Sequence, residues 1–144
     1  MPVAEFVDSN IWLYALLTPD ARLPDARQQR ARQFIDRLQR PVINSQVVRE
    51  VCVNLLKKSA LDEPGLQRWI SEWYPACKLH PDSEAQHLLA SQLRQRLALS
   101  FWDSLIVAAA LDAGCTTLYS EDMQHGQRIE GRLSIVNPLL ATPA

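Results

Sequence analysis

The run FVDSNIWLYALL, Phe6 to Leu17, changes character twice over its length. An apolar stretch stops at Asp8, Ser9 and Asn10 follow, and a second apolar stretch begins at Ile11. Short polar side chains of this kind accept hydrogen bonds from the first amides of a helix. The segment therefore predicts a buried strand over Val3 to Asp8, a polar corner, and a helix over Ile11 to Leu17 that ends before Thr18-Pro19. A carboxylate at the joint of a buried strand and a buried helix serves either as a cap or as part of a site.

The same unit recurs downstream. Ala31, Phe34, Ile35 and Leu38 repeat at helical spacing between Pro24 and Gln39, with arginines on the other faces. "PVIN", Pro41 to Asn44, is a second short strand, and "SQVVREVCVNLLKK" is a helix with lysines at the end that suits the macrodipole. Leu66 to Tyr74 reads as helix, and "ACKLH" as a third strand stopped by Pro81. Asp82 or Ser83 caps a helix running to about Arg96, and the helix within "LALSFWDSLIVAAALDAG" closes at Gly114. "TTLYS" and "LSIVN" are two last strands around a helical turn near Met123 to Ile129. Strands alternating with helices need crossover connections, so the expected fold is a three-layer α/β/α sandwich around a mostly parallel sheet of about five strands.

A chain of 144 residues, 47% hydrophobic and 22% charged, predicts one globular domain over residues 1–144 with a core that needs no staples. Cys52, Cys77 and Cys115 are odd in number and far apart, which excludes a disulfide framework or a zinc spacing and suggests a reducing compartment. With no secretory leader pattern and no apolar run long enough for a bilayer, the expectation is a cytoplasmic protein without membrane contact. The net charge of -1 excludes nucleic-acid binding driven by overall charge, leaving only local clusters.

In parallel sheets the useful crevice lies beyond the carboxyl ends of the strands. Asp8 sits at one such end, Glu50 on the helix after the second strand, and Asp122 in the "YSED" loop after the fourth. Asp103 opens a helix apolar on almost every side, which must be buried. Each acid also has a plain structural role available: Asp8 as a helix cap, Asp103 in a capping box with Ser100, Glu50 on a polar stripe with Asn54 and Lys57, Asp122 in a solvated turn. The functional reading rests on convergence. Crowded carboxylates repel and raise one another's pKa unless a cation intervenes, and Mg²⁺ or Mn²⁺ prefers oxygen ligands and pairs naturally with phosphate. Such an ion can lower the pKa of a bound water and stabilise charge on phosphorus.

"FVDSNIWLYAL", "SQVVREVCVNLL", "SFWDSLIVAAAL" and "LYSEDMQHGQ", in this order and at these separations, closely resemble the PIN-domain ribonucleases, in particular the VapC-type toxins of bacterial toxin-antitoxin pairs. The resemblance spans nearly the whole chain. It assigns the acids of the family's site to Asp8, Glu50, Asp103 and Asp122, the small hydroxyl residue before the fourth acid to Ser120, and the polar residue after the first acid to Asn10. It implies a five-stranded parallel sheet, a Mg²⁺ or Mn²⁺ site, cleavage of single-stranded or looped RNA, a homodimer, and inhibition by a small antitoxin protein. Trp12, Leu13, Leu16 and Leu17 are the apolar side chains that would suit the homodimer.

Other classes fit less well. A phosphatase of similar architecture needs an aspartate where Asn10 stands, and a receiver needs paired acids at the first strand and a lysine after the last. Four glycines cannot build a phosphate loop. The non-enzymatic alternative is an α/β interaction module whose acids only cap helices. His80, His87 and His125 are too irregularly spaced to form a metal site, and the arginine-rich face of Arg30, Arg37 and Arg40 receives no role beyond solvated surface.

Overall fold

A computed structural model describes residues 3–17 and 26–140. The expected helix stop at Thr18-Pro19 and the start at Pro24 lie outside these residues. In chain order the elements are β1 (Glu5–Val7), α1 (Ser9–Leu16), α2 (Ala26–Arg37), β2 (Val42–Ile43), α3 (Ser45–Lys58), α4 (Glu63–Ala76) and β3 (Lys78–Leu79). There follow α5 (Glu84–Arg96), α6 (Phe101–Asp112), β4 (Thr117–Tyr119), β5 (Arg128–Ile129) and β6 (Leu133–Val136). The strands form one sheet in the order β3-β2-β1-β4-β6-β5, flanked by the helices as a three-layer α/β/α sandwich.

Pairings β1–β2, β1–β4, β2–β3 and β4–β6 are all parallel, as helical crossovers require. The sheet departs from expectation at one edge. Where a helical turn was expected near Met123 to Ile129, the chain makes β5, which pairs antiparallel with β6 and brings the described strands to six. Glu130 (φ 55) and Gly131 (φ 63) both adopt the left-handed conformation, and this reverses the chain into a hairpin. The turn depends on a left-handed glutamate, a conformation that residue type does not signal.

Helix starts are set by side-chain caps. Asn44 Oδ1 accepts from Val47 N at 3.1 Å, Asp62 Oδ1 from Gly65 N at 2.9 Å, Ser83 Oγ from Gln86 N at 3.3 Å and Ser100 Oγ from Asp103 N at 3.1 Å. The cap of α3 is thus Asn44, one residue before the serine that opens the helix. Gly114, at φ 73, ends the C-terminal turn of α6 in the left-handed region, where a side chain would be strained.

The core confirms the reading of α6 as a buried helix: Ser104 and Ile106 through Leu111 are all inaccessible to solvent. α5 packs along it, and α1 packs against α2 and α3. Trp12 is buried edge-on to Trp73 (centroids 5.3 Å apart), and Leu13, Leu16 and Leu17 are half-buried against the same core. Trp12 therefore serves its own chain's core, while Leu13, Leu16 and Leu17 each keep part of their surface in solvent. Leu118, fully buried at the centre of β4, is a test of core integrity. Leu118→Ala should cost about 2–5 kcal/mol, read as a lower urea midpoint at unchanged slope.

Candidate carboxylate site at the sheet edge

β1 ends at Val7, and the next residue continues the ladder: Asp8 N donates to Tyr119 O at 2.9 Å. The neighbouring chain is extended in the same way, Ser120 N donating to Val136 O at 3.0 Å. Asp8 and Ser120 therefore emerge side by side, and Ser120 Oγ donates to Asp8 Oδ2 at 2.9 Å. The other carboxylate oxygen, Oδ1, accepts from Ser9 N at 2.8 Å as α1 begins. Asp8 is only 5% exposed.

α3 delivers Glu50 to the same edge. Ser9 Oγ donates a short hydrogen bond to Glu50 Oε2, and Gln46, one helical turn earlier, donates to Glu50 Oε1 at 3.2 Å. Gln46 also donates to the backbone carbonyl of Trp102 at 3.3 Å, so it ties α3 to the first turn of α6. In that turn Ser100 caps the helix through the amide of Asp103, and Ser104 Oγ bridges Arg94 and Phe101 O, each at 2.6 Å. After β4, Ser120 Oγ accepts from Asp122 N at 3.3 Å and Asn10 Oδ1 accepts from Glu121 N at 3.3 Å.

Two of the four acids feel the charge of others. Burial pushes the Asp8 carboxyl up to about 7 from an ordinary 3.8, and the charges of Glu50 and Asp103 push it the same way. The hydrogen bonds from Ser9 and Ser120 oppose that rise. Hydrogen bonds to a charged group contribute about 1.5–3 kcal/mol each, yet the loss of water outweighs both. Asp103 is also raised, first by burial and then by Asp122 and Glu50, against the pull of Ser100. Glu121 is engaged elsewhere: its carboxylate accepts from Tyr14 Oη at 3.0 Å and lies 3.7 Å from Arg27.

Among the described residues, no three Asp, Glu, His or Cys side chains close into a ready-made metal cage. Serine and glutamine hydrogen bonds hold the carboxylates of Asp8 and Glu50 and the backbone amides of Asp103 and Asp122. An all-oxygen donor set of this kind fits a hydrated hard cation, which keeps several waters and needs only one or two carboxylates. It does not fit zinc, which favours nitrogen and sulfur ligands in a closed tetrahedron.

Two roles read separately from the sequence coincide here: Asp8 caps α1 while belonging to the cluster, and Ser100 caps α6 through Asp103. Ser9 and Gln46 are the residues that reading missed. Gln46 carried a signal, since it lies one turn before Glu50 on the same helix face, whereas the Ser9–Glu50 bond joins positions 41 apart. The three histidines stand away from the acids: His80 pairs with Asp112 at 2.7 Å, His125 Nδ1 accepts from Asn137 N at 2.9 Å, and His87 is exposed.

A carboxyl group with a raised folded-state pKa gives a definite pH dependence. Between 3.8 and about 7 the native state holds a proton at Asp8 that the unfolded chain has released. Its contribution to stability is therefore fully present at low pH and lost as pH rises through about 7. In EDTA, urea unfolding should show that Asp8→Asn gains stability relative to the parent at pH 8 and not at pH 3, below the ordinary carboxyl value of 3.8. A variant equally displaced at both values would contradict the assignment.

The sequence matches the PIN domain family over residues 6–128. No curated protein sequence matches the chain. Among solved structures, a toxin-antitoxin complex from Klebsiella pneumoniae superposes with TM-score 0.68 at 20% identity, covering 94% of this chain and 97% of that one. VapC20 of Mycobacterium tuberculosis, a toxin that cleaves the sarcin-ricin loop, superposes with TM-score 0.63 at 16% identity, over 81% and 88% of the two chains. At such identities the likeness to these structures is one of fold. The family match over most of the chain, joined to a parallel sheet with acids at its carboxyl edge, makes this protein a member of the PIN domain family.

Proposed function

We propose that the protein is a Mg²⁺- or Mn²⁺-dependent endoribonuclease that cuts single-stranded or looped RNA in the cytoplasm, and that it is the toxin of a bacterial toxin-antitoxin pair. The observation that carries this reading is that Asp8, buried at the end of β1 and bonded to Ser120, is pushed up further by Glu50 and Asp103, while Asp103 is pushed up by Asp122 and Glu50, although the four arrive from separate parts of the chain. Membership of the PIN family and likeness of fold to two toxin structures support it.

In this reading Asp8, Glu50, Asp103 and Asp122 hold the cation, directly or through its waters. The bound ion supplies Lewis-acid stabilisation of charge on the phosphoryl oxygens and a water of lowered pKa. The remaining work belongs to the chain. Ser120 and the Ser9 amide orient Asp8, Ser9 and Gln46 orient Glu50, and the Ser100 cap fixes the backbone of Asp103. Asn10 braces the loop that carries Asp122 by accepting from the Glu121 amide.

The capping of α1 by Asp8 and of α6 by Ser100 keeps a second reading open, in which the fold is a non-catalytic interaction module. Caps alone do not explain why Asp8 and Asp103, each raised first by burial, also feel the charge of other acids from separate parts of the chain. Mn²⁺ separates the readings, since an ion that binds only the native state at a hundredfold excess over its Kd adds about 2.7 kcal/mol of stability. A flat thermal response to Mn²⁺ would favour the module.

Cleavage of labelled RNA with Mg²⁺, absent in EDTA, is the direct test. Asp8→Asn and Asp103→Asn should each fall to background while remaining folded; activity retained in both would overturn the ribonuclease reading. Calorimetry with Mn²⁺ ranks the adjacent acids. Asp122→Asn should lose about 10- to 100-fold in affinity, as expected for a group acting beyond the inner ligand shell. Glu121→Gln should be close to neutral, because its carboxylate is committed to Tyr14 and Arg27. The opposite ranking would transfer the fourth position to Glu121.

The small antitoxin partner and the homodimer rest on the family resemblance. Coexpression with an adjoining short reading frame should yield a copurifying small protein, and sedimentation should give twice the monomer mass. A free monomer at micromolar concentration in that experiment would count against both.

A further inference from the structure

The first turn of α6 carries two large aromatic side chains in solvent, Phe101 at 53% and Trp102 at 63% exposure. Exposed single aromatics are ordinary, but these two differ in their surroundings. Phe101 is already occupied: the Arg94 guanidinium lies 4.7 Å from its ring centre, and the Trp102 ring stands edge-on at 5.1 Å and 86°. Trp102 is braced by that contact, while among the described residues no cation or second ring covers it. Its backbone is held too, because Gln46 donates to the Trp102 carbonyl and to Glu50 together. The indole is thus an exposed ring whose backbone is tied through one side chain to Glu50.

A cavity of about 330 Å³ opens between this ring and α3, lined by Gln46, Arg49, Glu50 and Trp102. Arg49 is exposed and makes no ion pair among the described residues. The lining therefore combines an aromatic ring, a cation and one acid of the candidate site. An unpaired nucleobase needs a plane to stack on, and the phosphate joined to it needs a cation. A helical or extended protein segment would need a longer apolar strip, whereas the adjoining cavity around Trp102 is lined by polar groups such as Asn44, Asp82, Gln86 and His87.

We infer that Trp102 is a stacking platform for one unpaired base of an RNA substrate, with Arg49 taking the adjoining phosphate, so that this pair selects which phosphodiester enters the carboxylate cluster. The inference rests on the ribonuclease reading and adds to it a subsite with two named residues. Stacking accepts any base and duplex geometry denies it, so the subsite favours unpaired nucleotides over paired ones without demanding a sequence.

The test measures binding apart from cutting. In the Asp8→Asn background, fluorescence anisotropy with a labelled single-stranded RNA should show Trp102→Ala weakening Kd about 5- to 150-fold, the range for loss of one stacked base. Trp102→Phe should restore most of that loss. Arg49→Ala should reduce the slope of log K against log salt by about 0.7, one phosphate of a single strand. In the cleaving protein, Trp102→Ala should raise KM for a short oligonucleotide more than it lowers kcat. Unchanged RNA binding in Trp102→Ala would overturn the inference while cleavage by the parent leaves the ribonuclease reading intact. A parent that neither binds nor cuts RNA would overturn both. A Trp102→Ala protein that keeps its RNA affinity but loses the copurifying small protein would assign the ring to a protein partner and overturn the inference likewise.

Discussion

The parallel pairing of β1 with β4 is the constraint on which the rest of the carboxyl edge depends. Phe6 stands opposite Leu118 and Val7 opposite Tyr119, and the Asp8 amide extends this ladder onto the Tyr119 carbonyl. That register sets Ser120 beside Asp8, so a hydroxyl from one strand end meets a carboxylate from the other. A slip of one residue would turn every side chain of β1 to the opposite face, exchanging buried Phe6 and Val7 and removing Asp8 from Ser120. Core burial and site geometry therefore specify the same register.

The edge is a place where two demands meet in the same atoms. The first turns of α1 and α6 need acceptors for their free amides, and Asp8 and Ser100 provide them. Helix N-termini also favour negative charge nearby, by about 0.3–1 kcal/mol at exposed positions. For Asp8 that help and two hydrogen bonds still fall short of the cost of desolvation, which is why its carboxyl remains raised. The strain is electrostatic. It is of the kind a divalent cation relieves, and it explains how a single residue can terminate a strand, begin a helix and still be suited to a hydrated ion.

Helical geometry supplies the next level. Gln46 and Glu50 share one face of α3, and the glutamine reaches both the glutamate and the Trp102 carbonyl, coupling two helices that are far apart in sequence. Ser104 does the same between α5 and α6 by accepting from Arg94 while donating to Phe101 O. The first turn of α6, with Asp103 and the exposed Trp102, is consequently held by groups from α3 and α5 as well as by its own cap. Glu121 shows the converse: Tyr14 and Arg27 draw it toward α1 and α2, away from its neighbour Asp122.

The sequence by itself determined the alternation of strand and helix, the cap at Ser100, the narrowing of the α5 cap to Asp82 or Ser83, the burial of α6 and the placing of acids after strand ends. All of these follow from periodicity and turn chemistry, which act within a few residues. Tertiary structure alone decided what depends on long separations: Ser9 on Glu50 across 41 positions, Ser120 on Asp8 across 112, and Tyr14 on Glu121 across 107. It also decided that Trp12 turns inward while Trp102 stays out, although both are single tryptophans in short apolar runs. The β5–β6 hairpin belongs with these, because the turn rests on left-handed backbone at Glu130, a residue that does not advertise it. Local patterns report which side of an element is apolar; only the packed chain fixes which neighbour that side meets.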